Sequence, residues 1–208
     1  MPAYKLHQSS VPPVSFQEIS VDRPTTCLYR FLILLVDSFG ANVDHDPNLV
    51  SAEVPDWTRE KSIRFWDPGR KLLLAIRRYQ YWRYRTGINA ACSRKALVLR
   101  HRFWSVVTGA DIPLTCQIGG GLLIPHPNGI VIHPDAKIGV NCLIFQQVTI
   151  GAIGALTDKG LPVIGGHVDI GAGAKILGPV VIGANVKIGA NAVILKDVEE
   201  GSVAVGFR

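Results

Sequence analysis

From Ile112 onward, aliphatic residues recur every six positions: Ile112, Ile118, Ile124 and Ile130, then, after a two-residue slip, Ile132, Ile138, Ile144 and Ile150. A fourteen-residue step leads to Ile164, and the spacing of six resumes through Ile170, Ile176, Ile182, Ile188 and Ile194. Glycine often follows the isoleucine (Gly139, Gly151, Gly165, Gly171, Gly183, Gly189). A small or β-branched residue falls four places after it (Ala136, Val148, Ala174, Val186, Ala192). A period of six is neither helical nor simple strand alternation. Six residues supply one short strand and a turn, so three hexads make a triangular coil. The isoleucine is expected to point inward, the glycine to take turn geometries, and the small residue to fit the crowded interior. Successive coils bury one another's faces as solenoids do, and about ninety residues at about eighteen per coil give about five coils.

The first half has a different rhythm. "TTCLYRFLILLVDSFGANV" and "DPGRKLLLAIRRYQYWRYRTG" show helical spacing, the second opening after Asp67-Pro68 and closing at Gly87. A third helix is expected over Ser93 to Val107. Residues 1–24 are rich in Pro and Ser without periodicity and read as an irregular arm. The predicted organisation is an arm over 1–24, a small α-helical domain over 25–108 and a mainly β coil over 109–208. The longest apolar run, Phe31 to Val36, lies between Arg30 and Asp37. It is far shorter than the roughly 20 residues that span a bilayer, so a buried helix is expected and no transmembrane segment.

The composition, 48% hydrophobic and 18% charged over 208 residues, is that of a globular chain. Net charge is +6, but residues 59–102 hold thirteen Lys/Arg against Glu60 and Asp67. Arginines interleaved with Tyr79, Tyr81, Trp82 and Tyr84 resemble a nucleic-acid surface, yet no helix-turn-helix, zinc-finger or RNA-binding signature accompanies them. An amphipathic helix with a solvated basic face is the preferred reading, and nucleic acid is not expected as a partner. Such a face suits an anionic ligand or lipid headgroup. Cys27, Cys92, Cys116 and Cys142 lack CxxC spacing; with no signal peptide read ahead of them, they are expected to be reduced thiols in a cytoplasmic protein.

A solenoid bulges only where its rhythm breaks, because in-phase residues are committed to packing. The first break is the slip at Ile130–Ile132, immediately after His126; the second is the insertion "AIGALTDKGLP" between Ile150 and Ile164. His126 stands between two prolines, so few backbone conformations are open to it and its ring is firmly aimed. Asp111 precedes it by fifteen residues, a little under one coil, which places the two at neighbouring heights on one side of the prism. A carboxylate on one imidazole nitrogen fixes the tautomer and strengthens the other as a base for an alcohol or amine. A corner-capping histidine is the structural alternative. His133 lies in phase and reads as a corner residue, with lining the site as its alternative; His167 lies in phase and is expected to face solvent, while His7, His45 and His101 carry no motif. No metal-ligand spacing exists. Cys116 and Cys142 read as interior fillers. "IGAGAKILG" fails as a dinucleotide loop, since its glycines belong to the hexad and no helix follows.

These hexads resemble the left-handed β-helix acyltransferases. "ADIP…IGGGLLIPHPNGIVI…AKIG…FQQVTIG…IGAGAKILG…KIGANAVIL", from about Asp111 to Leu195, is similar to serine O-acetyltransferase. The resemblance implies a left-handed parallel β-helix preceded by a small α-helical domain, and direct acetyl transfer from acetyl-CoA to a hydroxyl. His126 would be the general base, Asp111 its orienting partner, and a backbone N–H the oxyanion donor. Acetyl-CoA, a co-substrate rather than a resident cofactor, would lie between neighbouring subunits of a homotrimer. Gly151 and Ala152 would flank its pantetheine arm, Ala172 and Ala190 would line it, and Lys187 would meet a CoA phosphate. A dimer of trimers is less expected, because the helical segment is short.

Departures from the pattern bear on the acceptor. The family holds serine's carboxylate with an arginine-histidine pair where this chain has Gly160 and Leu161. An acidic residue normally precedes the base, where this chain has Pro125. The chain ends "SVAVGFR" where the family carries a tail, ending in isoleucine, that docks a cysteine-forming enzyme. The leading expectation is a serine O-acetyltransferase feeding cysteine synthesis. The same chemistry on a sugar hydroxyl in surface-polysaccharide assembly is the alternative, and a non-catalytic β-helix scaffold is the third.

Overall fold

The computed structural model describes residues 50–154 and 160–206, which lie within one unit, Asp46–Arg208. The arm over 1–24, the apolar helix predicted over 25–43, Cys27, His7, His45 and the middle of the 151–163 insertion fall outside the described residues. A short 3-10 turn (Trp57–Glu60) precedes α1 (Pro68–Arg83) and α2 (Ile88–Thr108), after which twelve strands follow among the described residues. Sheet A holds β2 (Val131–Ile132), β5 (Thr149–Gly151), β8 (Lys175–Leu177) and β11 (Val193–Ile194). Sheet B holds β1 (Gln117–Ile118), β3 (Lys137–Ile138), β6 (Val163–Ile164) and β9 (Val181–Ile182). Sheet C holds β4 (Leu143–Ile144), β7 (Asp169–Ile170), β10 (Lys187–Ile188) and β12 (Val203–Ala204). All pairs are parallel, and the three sheets form the faces of a left-handed β-helix.

The ladder registers isoleucine on isoleucine: Ile138 on Ile118 and Ile164, Ile150 on Ile132 and Ile176, Ile170 on Ile144 and Ile188. Val131 pairs with Thr149, a step of 18; Gln117 pairs with Lys137, a step of 20; Thr149 pairs with Lys175, a step of 26. The two longer steps absorb the slip after His126 and the 151–163 insertion. The isoleucines and the small residues four places on are buried without exception.

The glycine after isoleucine does a different job from the one expected. It does not take the positive φ of the corner; that falls two places later, at Gly121, Asn141, Gln147, His167, Gly173, Asn185 and Asn191. At Gly119, Gly139, Gly165, Gly171 and Gly183 the glycine is needed because stacked coils touch backbone to backbone. A methyl on Gly119 would sit 2.6 Å from the Gly139 carbonyl carbon, one on Gly165 would sit 2.8 Å from Ala184 N, and one on Gly139 would overlap the Gly165 backbone.

The helices also correct the sequence reading. α1 opens as expected, with Asp67 as N-cap accepting from Arg70 N and Pro68 in the first turn. It stops at Arg83, and Gly87, at φ 98, caps the start of α2 instead of ending α1. α2 therefore begins at Ile88, five residues before the expected Ser93, and closes on Gly109, whose φ is 65. Arg94 of α2 ties the turn by donating to the Trp82 and Arg85 carbonyls. Leu72, Leu73 and Ile76 of α1 and Trp104 of α2 join the same core as Ala110, Ile112, Leu122 and Ile124.

A strap over residues 51–60 runs along the edge between sheets B and C. The Asn141 side-chain amide donates to Ser51 O and Val54 O (2.7 Å each), and its Oδ1 accepts from Asp56 N (2.8 Å). Further up, the Glu60 carboxylate accepts from Gly121 N and Leu122 N and pairs with Arg77 at 2.8 Å. Arg77 also donates to Ile118 O and Gly119 O. This network closes the open end of the solenoid, where backbone groups would otherwise lack partners.

Cys116 and Cys142 fill the interior as expected. Burial pushes the Cys116 thiol from an ordinary 9.0 up to about 12, with the charges of Asp111 and Asp135 adding to it. Burial likewise raises Cys142 to about 11, opposed by hydrogen bonding from the Val168 backbone and by the Arg59 charge. Both are neutral thiols near pH 7, unsuited to nucleophilic catalysis.

Three outcomes follow from this packing. Gly139→Ala is expected to destabilise the chain by about 1–3 kcal/mol in denaturant titration, through steric overlap between coils. Glu60→Ala is expected to cost about 3 kcal/mol, because it orphans a largely buried guanidinium and two amides. The unfolded chain ionises its thiols near 9.0 while the folded chain holds their protons to about 11 or 12, so the stability they lend is complete below that lower pH and is lost as pH climbs toward the upper values. The thermal midpoint should fall more between about pH 8 and about pH 10 in wild type than in a Cys116→Ala, Cys142→Ala double variant.

Candidate active site

Leu123 bridges Leu143 on sheet C and Ile124 is buried; the chain must then turn the corner to reach β2 on sheet A. Lower coils make this turn with Phe145–Val148, Gly171–Ala174 and Gly189–Ala192. The first coil has two more residues to place between the same faces, and they go outward. Gly129 N–H donates to Gly109 O and Ile130 N–H to Pro127 O, pinning the far side of the bulge. His126 therefore stands exposed at the edge between sheets C and A, held by a proline on each side.

Asp111 lies on the first turn of sheet A, beside that edge. Its N–H donates to Ile130 O, its carbonyl accepts from Ile132 N, and it bridges Val131. Its exposed carboxylate contributes to raising the Cys116 thiol. Asp111 and His126 thus flank the same edge in adjoining turns, while no hydrogen bond or ion pair joins their side chains among the described residues.

Ala172 and Ala190 occupy the same edge below His126, linked by Asn191 N–H to Ala172 O. They are kept close by Gly171, where a methyl would lie 2.6 Å from Ala190 N. Lys187 sits on β10 of sheet C, exposed, just before this corner. Gly151 and Ala152 are elsewhere. Gly151 ends β5 at the edge between sheets A and B, beneath His133, whose Cβ would be 3.8 Å from a methyl there. Gly160, at φ 96 and against Pro179, and Leu161 return to that second edge. The candidates therefore form two groups on the two edges of sheet A: His126, Ala172 and Ala190 with Lys187 on one, Gly151 and Ala152 on the other.

Sequence spacing did not single out Gln146, two places after Ile144 as Ala172 and Ala190 are after theirs. Its Oε1 is buried without a hydrogen-bond partner among the described residues, on the His126 edge. The signal available was a long polar side chain where the repeat elsewhere takes alanine. Lys175 braces this edge by donating to Gln147 O (2.6 Å) and Thr149 Oγ1 (3.1 Å). On the other edge, His133 Nδ1 accepts from Asp135 N at 3.2 Å, with the Asp135 carboxylate 3.9 Å away. His167 takes a corner φ of 53 and meets Asn185 at 2.9 Å. His101 reaches Ile112 O at 2.8 Å and ties α2 to the coil.

Residues 162–196 match the family "Bacterial transferase hexapeptide (six repeats)". Serine acetyltransferase of Mycobacterium tuberculosis is 38% identical over 129 residues, covering 62% of this chain and 54% of that protein. The soybean serine acetyltransferase apoenzyme superposes with a TM-score of 0.59 at 32% identity, covering 86% of this chain and 72% of that one. A serine acetyltransferase solved in complex with CoA gives a TM-score of 0.56 at 31% identity, covering 68% of this chain and 56% of that one. The chain spans about half the length of the curated relatives it matches. The hexad ladder, the bulge that sets His126 outside it and these likenesses lead to one conclusion: the chain belongs to the serine O-acetyltransferase family of hexapeptide-repeat acyltransferases.

Proposed function

We propose that this chain is an acetyl-CoA-dependent O-acetyltransferase whose acceptor is L-serine, giving O-acetyl-L-serine and CoA for cysteine biosynthesis. The observation that carries the reading is the placement of His126. It is the one histidine that the repeat expels, and it shares an edge with the two alanines matching the family's CoA-lining positions. His126 takes the proton of the acceptor hydroxyl as the oxygen attacks the thioester carbonyl. Asp111, on the adjoining turn, orients the ring and balances the imidazolium once its side chain and the ring meet in the substrate complex. The tetrahedral oxyanion receives a backbone N–H. Collapse breaks the C–S bond, and the imidazolium returns its proton to the CoA thiolate. Lys187 meets a CoA phosphate as a point charge.

The split of the candidates between two edges supports a homotrimer. One protomer's edge with Gly151 and Ala152 would face the neighbour's edge with His126, Ala172 and Ala190, enclosing the donor between them. Among the described residues no helix is long and apolar enough to cross a membrane; with Cys92, Cys116 and Cys142 all free, a cytoplasmic setting is our reading.

A second reading has a specific observation behind it. Pro125, Gly160 and Leu161 stand where serine would be gripped, and none offers a charge or a side-chain hydrogen bond. The same transfer to a sugar hydroxyl is that alternative. The test follows CoA release with L-serine and with a panel of sugars as acceptors. Turnover of serine at millimolar concentration is expected, and transfer to sugars alone would replace the first reading with the second. His126→Ala should lose about a hundredfold to ten-thousandfold in kcat with an unchanged thermal midpoint. Background consumption of acetyl-CoA by the wild type with every acceptor would leave only a scaffold.

A further inference from the structure

We propose that the outer face of the α1–α2 hairpin docks onto an anionic lipid bilayer. α2 has two faces of opposite accessibility. Ala90, Leu97, Trp104 and Thr108 are buried. On the other side, at helical spacing, Ile88 (82% exposed), Cys92, Ala96, Leu99 (69%), Phe103 (57%) and Val106 (84%) form an apolar stripe turned outward. A solvated helix carries polar residues there, so such a stripe marks a contact surface.

Its flanks are cationic. Lys95 and Arg102, seven residues apart, border the stripe and are exposed. On α1 the outward positions repeat the mixture, with Leu74, Arg78 and Tyr81 on the helix and Arg85 just beyond it. Arg85 lies over the Tyr81 ring at 3.8 Å, so the guanidinium head and the aromatic body share one site. Neither helix contains an Asp or Glu. Among the described residues, Arg70 pairs with Asp67 and Arg77 with Glu60, whereas Arg78, Lys95 and Arg102 have no ion pair.

Charge selects the occupant. A second copy seated face to face would set like charges against each other. Nucleic acid would neutralise the arginines but leave the apolar stripe in water. A bilayer surface with anionic headgroups satisfies both features: Leu99, Phe103 and Val106 enter the acyl boundary while Lys95, Arg102 and Arg78 meet phosphates. The hairpin would lie in the interface plane, with the β-helix standing on the aqueous side.

The full chain should co-sediment with large unilamellar vesicles of phosphatidylcholine containing about 30% phosphatidylglycerol, and far less with pure phosphatidylcholine. Binding should weaken as salt rises. Leu99→Asp with Phe103→Asp, and separately Lys95→Glu with Arg102→Glu, should each weaken partitioning about tenfold or more. These residues are exposed and thermal midpoints should hold, which separates lost docking from lost folding. Failure of the full chain to bind the anionic vesicles overturns the proposal, as does equal binding to neutral ones. RNA binding indifferent to the Leu99 and Phe103 changes, or self-association abolished by them without vesicle binding, overturns it in favour of those partners.

Discussion

Direct backbone contact between stacked coils is the constraint on which this structure depends. Each strand is two or three residues long, too short to hold a shape by itself. Stability comes from repeating the same short strand in register, isoleucine above isoleucine, with glycine where the backbones come closest. That arrangement leaves almost no freedom at in-phase positions. A side chain added at Gly139 or Gly165 meets main chain, and one enlarged at Ala174 or Ala192 meets a filled interior. Room for an outward bulge is therefore confined to places where the count of six fails, such as the one that carries His126.

The open end of such a prism must be closed, and the manner of closure bears on the candidate site. Glu60 and Arg77 bind the carbonyls and amides of the first B–C corner, and the strap over residues 51–60 follows the same edge downward past Asn141 to Gly166. Leu72, Leu73 and Ile76 cover the top of the coil. The turn from which the candidate base projects is held separately, by Gly129 N–H on Gly109 O and Ile130 N–H on Pro127 O. Because the chain itself occupies the B–C edge, the other two edges, which border sheet A, carry the candidate residues.

Those two edges differ in character. The C–A edge bears the bulge with His126, the two alanines and the buried Gln146 amide; the A–B edge bears Gly151, His133 and the insertion. The proposed site draws on candidate residues from both, which one prism presents on separate corners. The proposed homotrimer would bring the two edges together. The helical hairpin adds a further surface, different in kind from the two candidate edges, where cationic and apolar residues are exposed together.

The architecture was legible in the residues alone, because a six-residue period repeated over most of the second half admits few packings. The isoleucine ladder, the small fillers, the neutral buried thiols and the two departures from phase all follow from counting. The two predicted helices that fall among the described residues were legible too, but their boundaries were not. Gly87 reads equally as a helix stop and a helix start, and only the direction of the chain around it, with φ at 98, distinguishes them. The role of the repeat glycine was misplaced for a related reason: spacing says that a position is special, while the distance to the next coil says whether conformation or crowding makes it so. Partners distant in sequence were invisible beforehand, among them Glu60 on Leu122 N–H, Asn141 on Ser51 and His101 on Ile112. So was the sorting of the candidate residues onto two edges. A periodic sequence determines what each coil must bury, because burial repeats with the period; which corner a residue occupies and what it meets there depend on the register between coils, and that exists only once the chain has wound.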